Sequence, residues 1–222
     1  MTSTEAIGSD VTDAAARAYD ALARRDPVLR RLIATAGRPD PFAWDGSDLA
    51  SGDLFAGLAL HIVGQQISIP AALTIFGRLG DAAGARPPTA QGLAALDLDR
   101  LRSVGLSAAK ARALHELAAA VVDGSTDLEA LRDDGDARAI DVLCALRGIG
   151  PWSARMFLIY QLHRADVLPA GDIGIRHAVH LAFDLPERPS EREVADRGAA
   201  WAPHRSYAAA LLWASLRQSA TT

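Results

Sequence analysis

Alanine fills roughly one position in five of this 222-residue chain, and no segment sustains an alternation of β-branched apolar residues. Such a chain buries its apolar residues on helix faces, because a half-buried strand needs a period of two and favours Val, Ile and Thr. The apolar period is helical almost everywhere, and caps and breakers mark the pieces. Asp26-Pro27 opens a helix that stops at Gly37, with Pro where its missing N–H costs nothing. Arg38 to Asp45 is a Pro-rich connector. Ser51 or Asp53 caps a very apolar helix through Leu54, Leu58, His61 and Ile62, which ends near Gly64-Gln65-Gln66. Ser68-Ile69-Pro70 starts the next, and Gly84 ends it. Ser107 opens a helix stopped by Gly124, and Asp136 opens one with Ile140, Leu143 and Cys144 on one face. Two more begin near Ser190 and Ser206. The fold class is all-α.

Half of the residues are hydrophobic, enough for a real core in one large domain or two small ones. No apolar run approaches the 18 or so residues of a membrane span, and the polar, acidic N-terminus does not read as a secretory signal. One cysteine, Cys144, excludes an intramolecular disulfide, a Cys-ligated zinc and an iron–sulfur cluster. The expectation is a soluble cytoplasmic monomer with no cofactor, no metal and no membrane partner. Net charge is −4, so the chain is not a polycation that coats nucleic acid, and an anionic partner needs a local patch. Residues 138–177 supply one: Arg138, Arg147, Arg155, Arg164 and Arg176 stand against Asp141, Asp166 and Asp172, with His163 and His177 besides. Lys110, the sole lysine, reads as a solvated surface charge.

The most informative stretch is LRGIGPWSARMFLIYQL, residues 146–162. A helix ends at Arg147, Gly148 and Gly150 flank Ile149, and Pro151 starts a second helix. Two glycines allow a tight turn whose backbone N–H groups face outward, and Ile149 pins it to the core. The positive end of the second helix then makes a phosphate site; the same pattern also serves as a bare turn. LRSVGLSAAKARAL (101–114) echoes it weakly, as short αα-hairpins do when they share turn chemistry. In LPAGDIGIRHAV, 22 residues after Gly150, Asp172 stands at a helix start, either as an N-cap alone or as a rigid anion suited to catalysis.

Hairpin and aspartate together resemble the helix–hairpin–helix DNA glycosylases, whose signature is such a hairpin, a Gly/Pro-rich loop and an essential aspartate. HIVGQQIS (61–68) and WAPHRSYAAALLW (201–213) are similar to segments of the 3-methyladenine DNA glycosylase II branch, so four blocks cover about residues 52–216. Larger bacterial members carry an additional N-terminal β-rich domain, for which these residues leave no room. The resemblance implies two helical lobes flanking a cleft that takes double-stranded DNA. One lobe spans 60–165 and holds the hairpin, and the other joins 1–59 to 166–222.

The resemblance also assigns roles. The enzyme flips an alkylated purine into a pocket and cleaves its glycosidic bond, with Asp172 as the catalytic carboxylate. Gln66, beside Gln65, fills the vacated space as a wedge, unless the pair merely caps a helix end. Trp152 and Trp213 line the base pocket, with Met156 and Ile173 where some members have Tyr; His61 reaches a purine edge or is an interior histidine. Trp44 and Trp201 read as core. Gly148, Ile149, Gly150, Arg147, Arg176 and Arg205 bind DNA phosphates, with Arg205 alternatively tying down its own loop. The Schiff-base lysine of bifunctional members is replaced by Pro151 and Trp152, which argues against a lyase. The rival readings are a non-catalytic DNA-binding module, or a glycosylase for uracil or hypoxanthine.

Overall fold

A computed structural model describes residues 3–44 and 52–219. Among the described residues all regular structure is helical. The helices are α1 (Ser3–Arg25), α2 (Pro27–Ala36), α3 (Leu54–Gly64), α4 (Ile69–Ala83), α5 (Ala90–Ala94) and α6 (Leu98–Ser103). They continue with α7 (Ala108–Val122), α8 (Asp136–Ala145), α9 (Pro151–Tyr160), α10 (Ile173–Ala182), α11 (Glu191–Gly198) and α12 (Arg205–Ser219). The chain forms two compact units, Met1–Phe42 with Arg164–Thr222 and Ala43–His163.

The unit made from both termini is built around α12, which packs against α2 and α10. Its core holds Tyr19, Leu22, Leu29, Ile175, Leu211 and Leu212, with Trp201 fully buried as the sequence suggests. The Trp201 indole N–H donates to Asp26 Oδ2 at 3.0 Å, while Asp26 Oδ1 accepts from the Val28 N–H at 2.8 Å and caps α2. One carboxylate therefore satisfies both a buried donor and a helix start.

In the internal unit α3 is apolar on every face and buries Leu54 through Leu60, Ile62 and Val63. A helix of that kind belongs inside, and α3 packs against α4, α7 and α9. That packing explains why this unit begins at residue 43 rather than at 60. Its other boundary falls at 163/164, two residues before the expected end of the lobe.

Asp53, Ser68, Ser107 and Ser190 are the N-caps that the sequence marks, the last in a full capping box with Glu193. Asp45 and Ser51 lie outside the described residues. One boundary differs from expectation. Asp136 opens α8 as the sequence suggests, but α8 ends at Ala145, two residues before Arg147. Ser206 lies inside α12, fully buried, where its hydroxyl donates to the Arg164 carbonyl at 2.6 Å and accepts from the Val167 N–H at 3.0 Å. It is a cap-type residue used to tie down a neighbouring segment.

Candidate nucleic-acid interface and catalytic aspartate

The hairpin of the internal unit joins α8 to α9 through residues 146–150. Ile149 is buried there and anchors the turn. Gly148 has φ +81, and a Cβ on it would meet Ala113 Cβ at 3.0 Å, so both backbone and space demand glycine. Gly150 differs: its φ is −103 and nothing lies within 4 Å of where a Cβ would stand. It is the N-cap of α9, no side chain caps that helix, and Pro151 follows at the first position. A helix start without a capping side chain can attract an anion. Trp152, next along, is 45% exposed.

Beside this turn lies the end of α3. The Gln65 side-chain amide donates to the Gly148 carbonyl at 2.8 Å and to Ser153 Oγ at 3.2 Å. Gln66 is exposed and has φ +59, a left-handed conformation costing about 1–2 kcal/mol in a residue with a Cβ. Lys110 corrects the sequence reading. Its Nζ donates to the carbonyls of Val63 at 2.8 Å and Gln65 at 2.6 Å, and burial lowers its pKa. The end of α3 meets α7 there, so the ammonium finds two backbone carbonyls as partners.

Asp172 belongs to the unit made from both termini. It is the N-cap of α10, and its Oδ1 accepts from the Ile175 N–H at 2.9 Å and from the Trp213 indole N–H at 3.0 Å. Gly174 makes room for the pair, since a Cβ there would lie 3.0 Å from Asp172 Oδ1 and 3.4 Å from the indole. Trp213, assigned by resemblance to the base pocket, is half-buried and its indole N–H holds the carboxylate. Ile173, beside Asp172, is 69% exposed.

The three arginines assigned to phosphates each have a protein partner. Arg147 Nε pairs with Glu116 at 2.7 Å on the surface, a link weak enough to exchange for another anion. Arg176 Nε donates to the Pro189 carbonyl at 2.7 Å. Arg205 forms a two-pronged pair with Asp166 at 2.7 and 2.9 Å, which ties its loop down. Burial pushes the Asp166 pKa upward, but the Arg205 hydrogen bonds and charge outweigh it and leave the value lowered.

Met156 is buried in α9. His61 is interior: burial lowers its pKa to about 4, and Nε2 is buried without a partner. It stacks with Trp44 at 5.5 Å between centroids and with Tyr160 at 6.2 Å, so Trp44 is half-buried against a histidine rather than deep in the core. Among the described residues no group of three His, Cys, Asp or Glu could hold a metal, and no helix is long and apolar enough to cross a membrane. The sequence offers no local signal for the Lys110 clamp or the Asp172–Trp213 pair, whose members lie 45 and 41 residues apart.

Residues 60–204 match the family described as HhH-GPD superfamily base excision DNA repair protein. The chain is 30% identical over 191 residues to DNA-3-methyladenine glycosylase 1 of Schizosaccharomyces pombe, covering 85% of this chain and 82% of that one. It is 29% identical over 161 residues to a putative DNA-3-methyladenine glycosylase of Bacillus subtilis, covering 70% of this chain but only 56% of the relative's length. Among solved structures, the S. pombe 3-methyladenine DNA glycosylase in complex with abasic DNA matches with a TM-score of 0.77 and 29% identity, over 89% of this chain and 95% of that one.

Proposed function

Because the chain belongs to the HhH-GPD superfamily of base excision DNA repair proteins, we propose that it is a monofunctional DNA glycosylase. It acts as a monomer on double-stranded DNA in the cytoplasm, flips an alkylated purine of the 3-methyladenine or 7-methylguanine type, and hydrolyses its N-glycosidic bond. The observation that carries this reading is the carboxylate of Asp172, fixed at the head of α10 by a backbone N–H and an indole N–H. A module that only grips phosphates would use that carboxylate for nothing beyond a helix cap.

The chemistry follows from charge. An N-alkylated purine is already cationic, so when the bond breaks its electron pair goes to the base, which leaves neutral and needs no strong acid. Positive charge then builds on the sugar. A carboxylate about 4 Å from that charge is worth roughly 4 kcal/mol at an effective dielectric near 20, or about three powers of ten in rate. Asp172 supplies this and takes the proton of the water that attacks C1′. Trp152 offers a π face to the cationic base. The open start of α9 and Arg147 hold phosphates, which fixes register without reading sequence.

The test is incubation of the protein with duplexes carrying one defined lesion each, scored for free base. Release of 3-methyladenine, an abasic strand that breaks only with alkali or heat, and no borohydride-trapped adduct are expected. Trapping on the wild-type protein would overturn the monofunctional reading. Release of only uracil or hypoxanthine would replace the substrate class, and no release from any lesion would leave a binding module.

A further inference from the structure

The Gln65–Gln66 turn is held from two sides by groups that bond cleavage does not use. On one side the Lys110 ammonium binds the Val63 and Gln65 carbonyls at 2.8 and 2.6 Å. On the other, the Gln65 amide binds the Gly148 carbonyl at 2.8 Å, the same turn that leads into the open start of α9. Gln66 sits just beyond both anchors, exposed, in a left-handed backbone conformation, and the next residue, Ile67, is exposed too. A residue with a Cβ stays in that conformation only where its surroundings over-determine it. The last carbonyls of a helix lack N–H partners and attract a cation. An ammonium on a flexible stem, with three donors, can take two of them at once.

We propose that Lys110 is a positioning residue that clamps the end of α3, so that Gln66 is presented rigidly as the side chain that fills the space left by a flipped nucleotide. The inference rests on the glycosylase reading above for what Gln66 does. It adds that the turn is ordered before DNA arrives, so that insertion does not have to meet that entropy cost. It also makes the wedge and the phosphate-binding hairpin one mechanical piece, joined through Gln65.

The test uses the full chain and needs no bond cleavage. Affinity is measured for a duplex with a stable abasic analogue and for the same duplex intact; the ratio reports filling of the gap. The variants are Lys110→Met, Gln66→Ala, their double, and Lys110→Arg, with thermal melting of each. The wild type should prefer the abasic duplex. Lys110→Met and Gln66→Ala should each shrink that preference by about tenfold, the scale of one missing charged hydrogen bond, while leaving intact-duplex affinity alone. The double variant should lose no more than either single one, since both act through one turn, and Lys110→Arg should restore most of the preference. Additive losses, equal losses on both duplexes, or an unchanged preference in Lys110→Met would each overturn the proposal. If Lys110→Met melts early, Lys110→Gln, which removes the charge but keeps a polar side chain, takes its place in the cycle with Gln66→Ala. A wild type that prefers the abasic duplex yet releases no base would instead refute the glycosylase reading and leave the clamp standing.

Discussion

The starts of α9 and α10 are built on opposite plans. At α9 the cap position holds Gly150, which brings no side chain, and the first helical residue is a proline. At α10 the cap position holds Asp172, whose Oδ1 takes the Ile175 N–H and the Trp213 indole N–H. A helix N-terminus attracts negative charge. An empty one offers that attraction to a phosphate from outside, and an occupied one uses it to hold an anion of its own. Under the proposed function the difference would separate binding from catalysis: the first helix start is suited to grip a phosphate, and the second to hold a charge toward the sugar.

The comparison breaks most visibly at Asp172. Asp172→Asn keeps an acceptor oxygen for both N–H groups and removes only the charge, so folding should be almost unaffected. Loss of about 4 kcal/mol should slow single-turnover release of 3-methyladenine by roughly a thousandfold. Binding to an abasic duplex should persist or tighten, since a carboxylate near a polyanion opposes binding. Full activity in the Asn variant would remove the catalytic role. Loss of folding would make Asp172 a cap like Asp26, which serves α2 and Trp201.

Much of this plan is legible in the sequence, and what is not has a physical reason. Caps act within three residues, so Asp26, Asp53, Ser68, Ser107, Asp172 and Ser190 announce their helices directly. The glycine code is half legible: Gly148 and Gly150 look alike in the chain, but only Gly148 is forced by φ and by Ala113. Arginine roles are the least legible. Arg147, Arg176 and Arg205 look equally available, yet Glu116, Pro189 and Asp166 engage them across separations of 31, 13 and 39 residues. Lys110 fails for the same cause, since its partners lie on another helix.

A smaller effect sharpens the α10 side. Trp213→Phe keeps an aromatic ring for stacking and deletes the N–H that fixes Asp172 Oδ1. A hydrogen bond to a charged group is worth about 1.5–3 kcal/mol, so excision should fall by about tenfold or somewhat more, with abasic-duplex affinity unchanged. Gly174→Ala, whose Cβ would press on Asp172 Oδ1 at 3.0 Å and meet the indole only at ordinary contact distance, 3.4 Å, should give a similar drop. If the Trp213→Phe variant kept the full rate, Trp213 would serve by stacking alone.

The smallest effect makes the start of α9 resemble that of α10. Gly150→Ser meets no steric obstacle, because the site is open and the backbone (φ −103, ψ 175) already suits a capping serine. The new hydroxyl should take up an amide that otherwise faces a phosphate, leaving stability level or higher by a few tenths of a kcal/mol. Affinity should fall by about fivefold for damaged and intact duplexes alike, and the log–log salt slope should flatten by about 0.9 for each phosphate no longer gripped. Gly148→Ala is the control: with φ +81 and Ala113 at 3.0 Å it should cost about 1–2 kcal/mol of stability. A serine at 150 that left affinity and salt slope untouched would show that the empty cap is only a turn. In that case the arginines, despite their protein partners, would have to hold the phosphates.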